Sequence, residues 1–331
     1  MAISLVTGGA GFIGAHVSRE LIKMGHTVIV LDDLSGGNRN YLAEGVEFIE
    51  GSILDHQLLE KIFNENEIDY VYHLAAYAAE GLSHFIKRFN YNNNLIGSVN
   101  LINESVKHKI KCFVFTSSIA TYGALEPPMT EDMTPIPEDP YGIAKLAVEQ
   151  ELRVTKEMFD LDYVIFRPHN VYGEYQNLGD KYRNVVGIFM NQIMQGNALT
   201  VFGDGQQSRA FSYIGDVAPH IAKCVDIKES YGQIFNIGAD SEFTVNELAK
   251  VVMKAMGCES ELRYLEARNE VVHAYASHEK ARKVFGTGSL TTLEEGVRKM
   301  ADWAKTQGVT SSEKFKNIEI LEKLPPVWLE D

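Results

Sequence analysis

The segment ISLVTGGAGFIGAHVSRELIKMG, residues 3–25, decides the fold, because it combines a strand, a glycine-rich turn and a helix. Residues 3–6 are apolar without helical spacing, which predicts a short buried strand. From Phe12 onward apolar residues recur at helical intervals. The turn between strand and helix carries three glycines at GxxGxxG spacing, Gly8, Gly11 and Gly14.

Such a turn suits a diphosphate, which can rest on the free N–H groups at a helix start only where no Cβ blocks its approach. Strand, glycine turn and helix together are the context that a dinucleotide site requires. The predicted contacts of a dinucleotide in this segment are Gly8, Gly11, Phe12 and Ile13.

A second predicted strand, residues 27–31, ends in two carboxylates, Asp32 and Asp33. A carboxylate at this point can accept hydrogen bonds from the adenosine ribose hydroxyls, and it would repel a 2′-phosphate. The pattern therefore favours NAD over NADP as the cofactor. The alternative interpretation is an aspartate that only caps the following loop.

Length and composition indicate one large or two closely associated domains with a substantial core. The chain has 331 residues, 45% hydrophobic and 23% charged, which is typical of a globular protein. Its formal net charge of −14 argues against nucleic acid as a partner. No apolar run reaches the length of a membrane span, and the first residues lack a basic region and a cleavage site. We therefore expect a cytoplasmic protein.

The chain carries no pattern typical of a metal site or a disulfide framework. Its three cysteines, Cys112, Cys224 and Cys258, are far apart and form no C-x-x-C pair. The sequence also lacks an HExxH motif and paired Cys/His clusters. We expect no metal.

Further strands alternate with helical patterns along the first half of the chain, which predicts an α/β fold with a doubly wound parallel sheet. We expect the sheet domain to span residues 1–168 and a smaller C-terminal substrate-binding domain to span 169–331, with segments returning to the sheet near 211–238. Ligands of such sheets bind beyond the carboxyl ends of the strands. The predicted strands that follow the second one are residues 45–50, 70–75, 112–117 and 161–167.

Tyr141 and Lys145 are the strongest candidates for chemistry. They lie four residues apart at the start of a predicted helix, so their side chains share one face. A nearby ammonium, the positive helix end and a bound NAD⁺ would all favour the phenolate, which makes Tyr141 a plausible general base. One hydroxyl among residues 116–118, which end the fifth strand, is expected to hydrogen-bond a substrate oxygen.

The sequence resembles the extended short-chain dehydrogenase/reductases, and within them the nucleotide-sugar epimerases of the UDP-glucose 4-epimerase type. The resemblance implies a Rossmann fold with tightly bound NAD, and it spans nearly the whole chain. The matching motifs are TGGAGFIGAH from residue 7, HLAA at 73–76, TSSIATYG at 116–123, PYGIAK at 140–145, RPHNVYG at 167–173 and FGDGQQSRAF at 202–211.

Carried across by position, the resemblance assigns roles to individual residues. Ser118 looks like the catalytic serine, Tyr141 the base and Lys145 the lysine that holds the nicotinamide ribose. Further cofactor contacts are implied at Ser52, Ile53, Leu74, Ala75, Ala76 and His169, the last beside the nicotinamide. Substrate contacts are implied at Asn170 and Asn184 near the diphosphate, Phe202 beside the uracil, Arg209 and Arg268 on the diphosphate, and Glu270 on the ribose.

The chain also departs from the family's pattern at several positions. Ser52 stands where the third strand usually ends in Asp, and Ala78 stands where some 4-epimerases carry a cofactor-contacting lysine. If Glu270 is the ribose acid, the position that gates sugar size is Ala274, which would admit an N-acetyl group. In the other register that position is Tyr275, which would exclude one.

The expected reaction is epimerisation at C4 of a UDP-hexose, most simply UDP-glucose and UDP-galactose or their N-acetylated forms. Dehydratases of the family need acidic residues directly after the catalytic serine or threonine, and Ile119 and Ala120 stand there instead. We expect no second acid or base beside the sugar. The alternatives are UDP-glucuronate 4-epimerase, CDP-sugar 2-epimerase, a 4,6-dehydratase and a non-catalytic NAD-binding regulator.

Two long helical patterns, residues 83–107 and 141–158, resemble the helices that form a four-helix dimer contact in this family. Their apolar residues are equally compatible with packing on the sheet. We expect a homodimer.

Overall fold

The computed structural model describes residues 1–267, 271–286, 290–311 and 314–328. Arg268 and Glu270 therefore lie outside the described residues. The strands are β1 (Ile3–Thr7), β2 (Thr27–Asp32), β3 (Glu47–Glu50), β4 (Tyr70–His73), β5 (Cys112–Thr116), β6 (Tyr163–Pro168), β7 (Val171–Tyr172), β8 (Leu199–Phe202), β9 (Ser208–Ala210), β10 (Ser212–Tyr213), β11 (Gln233–Ile237), β12 (Glu242–Thr244), β13 (Leu262–Leu265) and β14 (His273–Ala274). The helices are α1 (Phe12–Lys23), α2 (His56–Glu65), α3 (Glu80–Ser83), α4 (Lys87–Tyr91), α5 (Gly97–Lys107), α6 (Pro140–Phe159), α7 (Val185–Met194), α8 (Ile214–Lys223), α9 (Val245–Met256), α10 (Glu279–Phe285) and α11 (Leu293–Gln307).

A parallel sheet forms the centre of the fold. Within the described part of the chain it has seven strands in the order β11-β6-β5-β4-β1-β2-β3, and every neighbouring pair is parallel. The predicted doubly wound α/β fold is thereby confirmed. Because the strand order reverses between β1 and β4, the crevice at their carboxyl ends is where a ligand is expected to bind.

Segments from the second half of the chain complete this sheet. β11 pairs with β6 and extends the sheet at one edge. The neighbouring returning segment is a helix and not a strand, because α8 packs beside α1 with its apolar residues Ile214, Val217 and Ile221 fully buried. The domain boundary at residue 168 stays a prediction.

The predicted long helix over residues 83–107 is interrupted. It consists of α4, a π-helical turn (Asn92–Ile96) and α5, with the short α3 before it. The buried Asn94 side chain accepts a hydrogen bond from Tyr77 N at 2.9 Å and donates one to Tyr77 O at 3.1 Å. These two hydrogen bonds tie the π-helical turn to the loop after β4.

A third hydrophobic cluster, besides the two on the faces of the sheet, lies beyond the carboxyl edge of the sheet. It combines α7, α9 and α11 with the short strand β8, around the fully buried residues Phe189, Leu248 and Met300. These short elements support the loops that face the sheet's crevice. Their core is separate from the two clusters on the faces of the sheet.

The last described segment, residues 314–328, packs on the loops beside that crevice. Phe315 contacts Tyr77 and Phe89 with ring centroids 5.4 and 5.0 Å apart. Trp328 is 3% exposed and contacts Tyr182 at 5.4 Å. This segment therefore contacts both the loop after β4 and the loop before α7, which are distant from each other in sequence.

Two kinds of feature are absent from the described part of the chain. None of the helices within the described ranges combines the length and the apolar character that crossing a membrane requires. Among the same residues, no cluster of three or more His, Cys, Asp or Glu side chains is arranged to hold a metal ion. Cys112 and Cys224 are buried, and Cys258 is exposed.

Candidate active site

A cavity of about 500 Å³ runs along the carboxyl ends of the central strands. It brings together most of the residues that the sequence singled out. Those that line it are Gly8, Gly11, Phe12, Ile13, Asp32, Asp33, Ile53, Leu74, Ala75, Ala76, Ser118, Tyr141, Lys145, Asn170, Asn184, Phe202 and Arg209.

The glycine turn forms the floor of the cavity at one end. A Cβ on Gly8 (φ +72°) would lie 2.7 Å from Ala75 N, and one on Gly14 would lie 2.2 Å from Gly8 O, so both positions exclude a side chain. Helix α1 begins after Gly11 without a side-chain cap. Its first N–H groups lack intrahelical acceptors and are available to an anion. This cradle fits a dinucleotide's diphosphate.

Asp32 ends β2 beside this turn and is 8% exposed. Its carboxylate accepts hydrogen bonds from Ala10 N at 3.0 Å and Leu34 N at 2.8 Å. Burial raises the pKa of Asp32, while these hydrogen bonds oppose the rise. The residue caps its loop, as the alternative interpretation holds, yet a carboxylate has further lone pairs for ribose hydroxyls. The neighbouring Asp33 is exposed on the cavity rim.

Ser52 is one of two predicted cofactor contacts whose side chain does not reach the cavity. Its hydroxyl accepts a hydrogen bond from Leu54 N at 3.2 Å and stabilises the turn after β3. The flanking Gly51 and Ile53 line the cavity instead. Ser52 therefore stabilises the backbone of this turn and does not contact the cavity.

His169 is the second, and it lies behind the cavity wall. It is 1% exposed, stacks on His278 at 4.9 Å and lies with Nε2 3.3 Å from Ala239 O. Burial, followed by the charge of His278, lowers the pKa of His169 to about 3. Because successive side chains of an extended segment alternate, the neighbouring Pro168 and Asn170 face the cavity while His169 does not.

Tyr141 and Lys145 lie on the first turns of α6, side by side. Tyr141 is 5% and Lys145 2% exposed, and the Lys145 ammonium lies 5.8 Å from the centre of the Tyr141 ring. Lys145 Nζ donates a hydrogen bond to Thr116 O at 2.8 Å, which ties it to the end of β5. Asp139 begins the helix by accepting a hydrogen bond from Gly142 N at 2.9 Å.

Burial dominates the electrostatics of this pair. It raises the pKa of Tyr141, Glu80 adds to the rise, and a hydrogen bond with Ser118 opposes it. Burial also lowers the pKa of Lys145 to about 7, against the attraction of Glu149. Desolvation of the phenol therefore outweighs the expected lowering of its pKa by the lysine and the helix end.

Sequence reasoning missed charged residues that face the same cavity. Glu80 and His84 line it from α3 and the residue that follows, and Arg183 lines it from the loop before α7. The expectation that no second acid or base stands near the site is therefore wrong for the cavity as a whole. No motif marks these residues, since their placement depends on how α3 and the loop before α7 pack.

The predicted substrate-side residues lie on short strands and helix starts. Asn170 (φ +40°) donates a hydrogen bond from Nδ2 to Ala210 O at 3.2 Å. Asn184 (φ +67°) precedes α7, and its side chain makes no capping hydrogen bond. Arg209 on β9 donates a hydrogen bond to Val272 O at 2.8 Å. Asn170 and Arg209 are therefore held by backbone that returns from distant parts of the chain.

Ala274 and Tyr275, the two candidates for the position that gates sugar size, are placed differently in the described structure. Ala274 pairs with Arg209 across β14 and β9 and lines the cavity, 9% exposed. Tyr275 is absent from the described cavity lining, and its carbonyl accepts a hydrogen bond from Met129 N at 3.0 Å. The small residue therefore lies at the wall that Phe202 also lines.

Comparison with known proteins agrees with this geometry. The family model described as "NAD dependent epimerase/dehydratase family" matches residues 4–238. A putative UDP-glucose 4-epimerase of Methanocaldococcus jannaschii is 34% identical over 311 residues, which cover 92% of this chain and 99% of that relative. The chain belongs to the NAD-dependent epimerase/dehydratase family.

Solved structures give the same fold. The UDP-glucose 4-epimerase of Thermotoga maritima with UDP-glucose has a TM-score of 0.88 at 34% identity, over 92% of this chain and 99% of that one. The Thermus thermophilus UDP-glucose 4-epimerase in complex with NAD has a TM-score of 0.85 at 30% identity, over 92% and 99%. NAD is the cofactor of this family, and the glycine cradle with Asp32 fits it.

Proposed function

We propose that the protein is a nucleotide-sugar 4-epimerase that interconverts UDP-glucose and UDP-galactose and keeps its NAD bound throughout. One observation carries the proposal: Tyr141, Lys145 and Ser118 lie on the wall of a single cavity that joins the glycine cradle to Asn170 and Arg209. A sugar bound between these two ends has its reacting carbon beside the phenol.

Tyr141 acts as the general base in this proposal. It takes the proton of the C4 hydroxyl while Ser118 hydrogen-bonds the same oxygen, on which charge develops. When bound, NAD would supply an acceptor for the C4 hydride, and its positive nicotinamide ring would favour the Tyr141 phenolate that burial otherwise disfavours. Lys145 holds the end of β5 and adds a positive charge close to the phenol.

Inversion requires that the 4-keto sugar present its opposite face before the hydride returns. Tyr141 then gives its proton back to the C4 oxygen, which restores the enzyme. The nucleotide stays held by the predicted substrate contacts Asn170, Asn184, Phe202 and Arg209, while the sugar turns about its bond to the phosphate.

A 4,6-dehydratase remains disfavoured. Ile119 and Ala120, the two residues after Ser118, line the cavity and cannot transfer a proton. Glu80 and His84 face the same cavity, so product analysis must look for loss of water as well as for inversion. The same assay tests the alternative reactions on UDP-glucuronate and on CDP-sugars. It also tests the alternative that the protein is a non-catalytic NAD-binding regulator.

N-acetylated UDP-hexoses form a second candidate substrate class. The support is Ala274, whose methyl group at the cavity wall leaves room that a larger side chain would fill. The purified protein should therefore be offered both acetylated and unacetylated UDP-hexoses.

The test is to incubate the purified protein, without added NAD, with UDP-glucose, UDP-galactose, their N-acetylated forms, UDP-glucuronate and a CDP-deoxysugar. We expect both C4 epimers to form from either starting sugar, as read by NMR and mass spectrometry. Inactivity on all UDP-hexoses, or a product lighter by one water, contradicts the proposal.

We further propose a cytoplasmic homodimer. Ile143, Val154 and Met158 on α6 are 43%, 40% and 75% exposed and lie along one helix face. Light scattering with size exclusion should give the mass of two chains. The Val154→Glu variant should give the mass of one chain. The control Val309→Glu, at another exposed site, should still give the mass of two chains.

A further inference from the structure

Arg183 is a cation that the sequence motifs did not mark. It precedes α7, on the substrate side of the cavity, yet its guanidinium crosses to the other side. Its Nη2 lies 3.4 Å from the position that a Cβ of Gly36 would occupy. Its Cζ lies 4.5 Å from the centre of the Tyr77 ring, in the loop after β4. The side chain is 17% exposed.

The contacts of Arg183 fix its position without using its full hydrogen-bonding capacity. Nε donates to the Asp180 carboxylate, and the side chain of Asp180 is 6% exposed. Among the described residues, no hydrogen-bond acceptor meets Nη1 or Nη2. A guanidinium carries five N–H donors, so four of them remain for a planar anionic group.

The loop that Arg183 reaches belongs to the cofactor half. A Cβ on Gly37 would lie 2.8 Å from Ala10 C, and Asn38 N donates a hydrogen bond to Ala10 O at 2.9 Å. The loop after β2 therefore packs directly on the glycine turn. Arg183 reaches Gly36 in this loop, which connects β2 to the segment that packs on the glycine turn.

Charge gives a reason for a cation at this point. The chain has a net charge of −14, while the site must take two diphosphates, one in the cofactor and one in the sugar nucleotide. In the described cavity wall the cations are Lys145, Arg183 and Arg209. Lys145 is directed to Thr116 O, and Arg209 lies on β9 at the substrate end.

We propose that Arg183 binds the diphosphate of NAD through Nη1 and Nη2, so that a residue of the substrate half helps to retain the cofactor. Asp180 and Tyr77 act as positioning residues for its guanidinium. The inference depends on the cofactor and is independent of which sugar the enzyme takes.

The test compares Arg183→Gln with Arg209→Gln, because both change a cavity arginine in the same way. NAD content after purification and the rate of NAD release on dilution measure cofactor retention, and calorimetric titration with UDP measures the other diphosphate site. We expect Arg183→Gln to weaken NAD binding roughly 10- to 100-fold, the loss of a charged hydrogen bond, with UDP affinity retained. Arg209→Gln should show the reverse.

A third variant separates binding from structure, because Arg183→Gln also leaves the buried Asp180 without its ion-pair partner. The double variant Asp180→Asn/Arg183→Gln also removes the negative charge of Asp180. We expect its NAD retention to stay as low as that of Arg183→Gln. Recovery of NAD retention in the double variant overturns the proposal. So does an Arg183→Gln protein that keeps its NAD, whether or not it loses affinity for UDP. These readouts need no turnover, so they stand apart from the epimerase assay.

Discussion

The two walls of the cavity are built in different ways. The cofactor wall is backbone at the ends of β1, β2 and β4, presented by glycines and alanines within the first 80 residues. The substrate wall is made of side chains from short strands and helix starts that lie far apart in sequence, between residues 170 and 274. A regular sheet fixes the first wall, whereas packing between remote segments fixes the second.

This difference implies that the reaction step depends on the cofactor side of the cavity and that the choice of substrate depends on the substrate wall. The general base Tyr141 begins α6, and Ser118, which hydrogen-bonds the substrate oxygen, follows β5, so the same sheet that forms the cofactor wall also positions the reacting groups. The residues expected to bind the sugar nucleotide and to select for sugar size lie on the substrate wall. Changes on the cofactor wall should therefore affect rate and stability, and changes on the substrate wall should affect substrate choice.

Tyr141→Phe should have the largest effect. It removes the general base, and we expect turnover to fall by roughly 10³-fold while UDP binds as before. The matched control is Tyr182→Phe, another tyrosine of the cavity wall, whose hydroxyl accepts a hydrogen bond from Phe315 N at 3.0 Å. Near-normal turnover in Tyr141→Phe would break the assignment of chemistry to the cofactor wall.

The buried ion pair beneath that wall should dominate stability. Arg167 donates from Nε to Glu149 at 2.9 Å, and the side chains of Arg167 and Glu149 are 2% and 1% exposed. Arg167→Met strands a buried carboxylate, so we expect the free energy of unfolding in urea to fall by about 3–5 kcal/mol. Arg282→Met, which breaks the half-exposed pair with Asp240, should cost less than about 1 kcal/mol. Equal losses in the two variants would contradict the comparison.

Ala274→Tyr tests the substrate wall. The larger side chain should fill the space for an acetamido group and lower kcat/KM for N-acetylated UDP-hexoses roughly 10- to 100-fold, with UDP-glucose less affected. Tyr275→Ala is the control, since the described cavity lining does not include that residue. A shift in selectivity caused by Tyr275→Ala would place the gate in the other register.

A histidine at the end of β4, on the cofactor wall, should make stability depend on pH. His73 is buried between Thr7 Oγ1 and Ser98 Oγ, both 2.8 Å from its ring nitrogens, and burial lowers the pKa of His73 to about 3. The unfolded chain, with an ordinary histidine pKa, binds this proton first as the pH falls from about 6.5 toward 3. Stability should be lost over that range, at up to about 1.4 kcal/mol per pH unit.

His73→Gln should reduce this slope in urea unfolding measured between pH 4 and 7. His56→Gln, at the exposed start of α2, should leave the slope as it is in the parent protein. If both variants keep the full slope, protonation of His73 on unfolding is not its cause. That result would contradict a neutral, hydrogen-bonded His73 ring in the folded protein.

Local pattern predicted the central sheet well, because most of its strands are short runs rich in apolar residues and the glycine turn is contiguous in sequence. Pattern was less informative where the chain departs from regular structure. The predicted helix over residues 83–107 contains a π-helical turn, in which Asn94 hydrogen-bonds to Tyr77. His169 faces away from the cavity although its two neighbours face it.

The sequence by itself determined the dinucleotide turn, the parallel sheet and the Tyr141–Lys145 pair, because each depends on residues within one or two turns of the chain. Only the tertiary structure brought Glu80, Arg183 and Ala274 to the same cavity, and only it showed that burial outweighs the neighbouring cations at Tyr141. The physical reason is range: hydrogen-bonded turns and apolar periodicity are local, whereas desolvation and charge proximity depend on every segment that packs around a site.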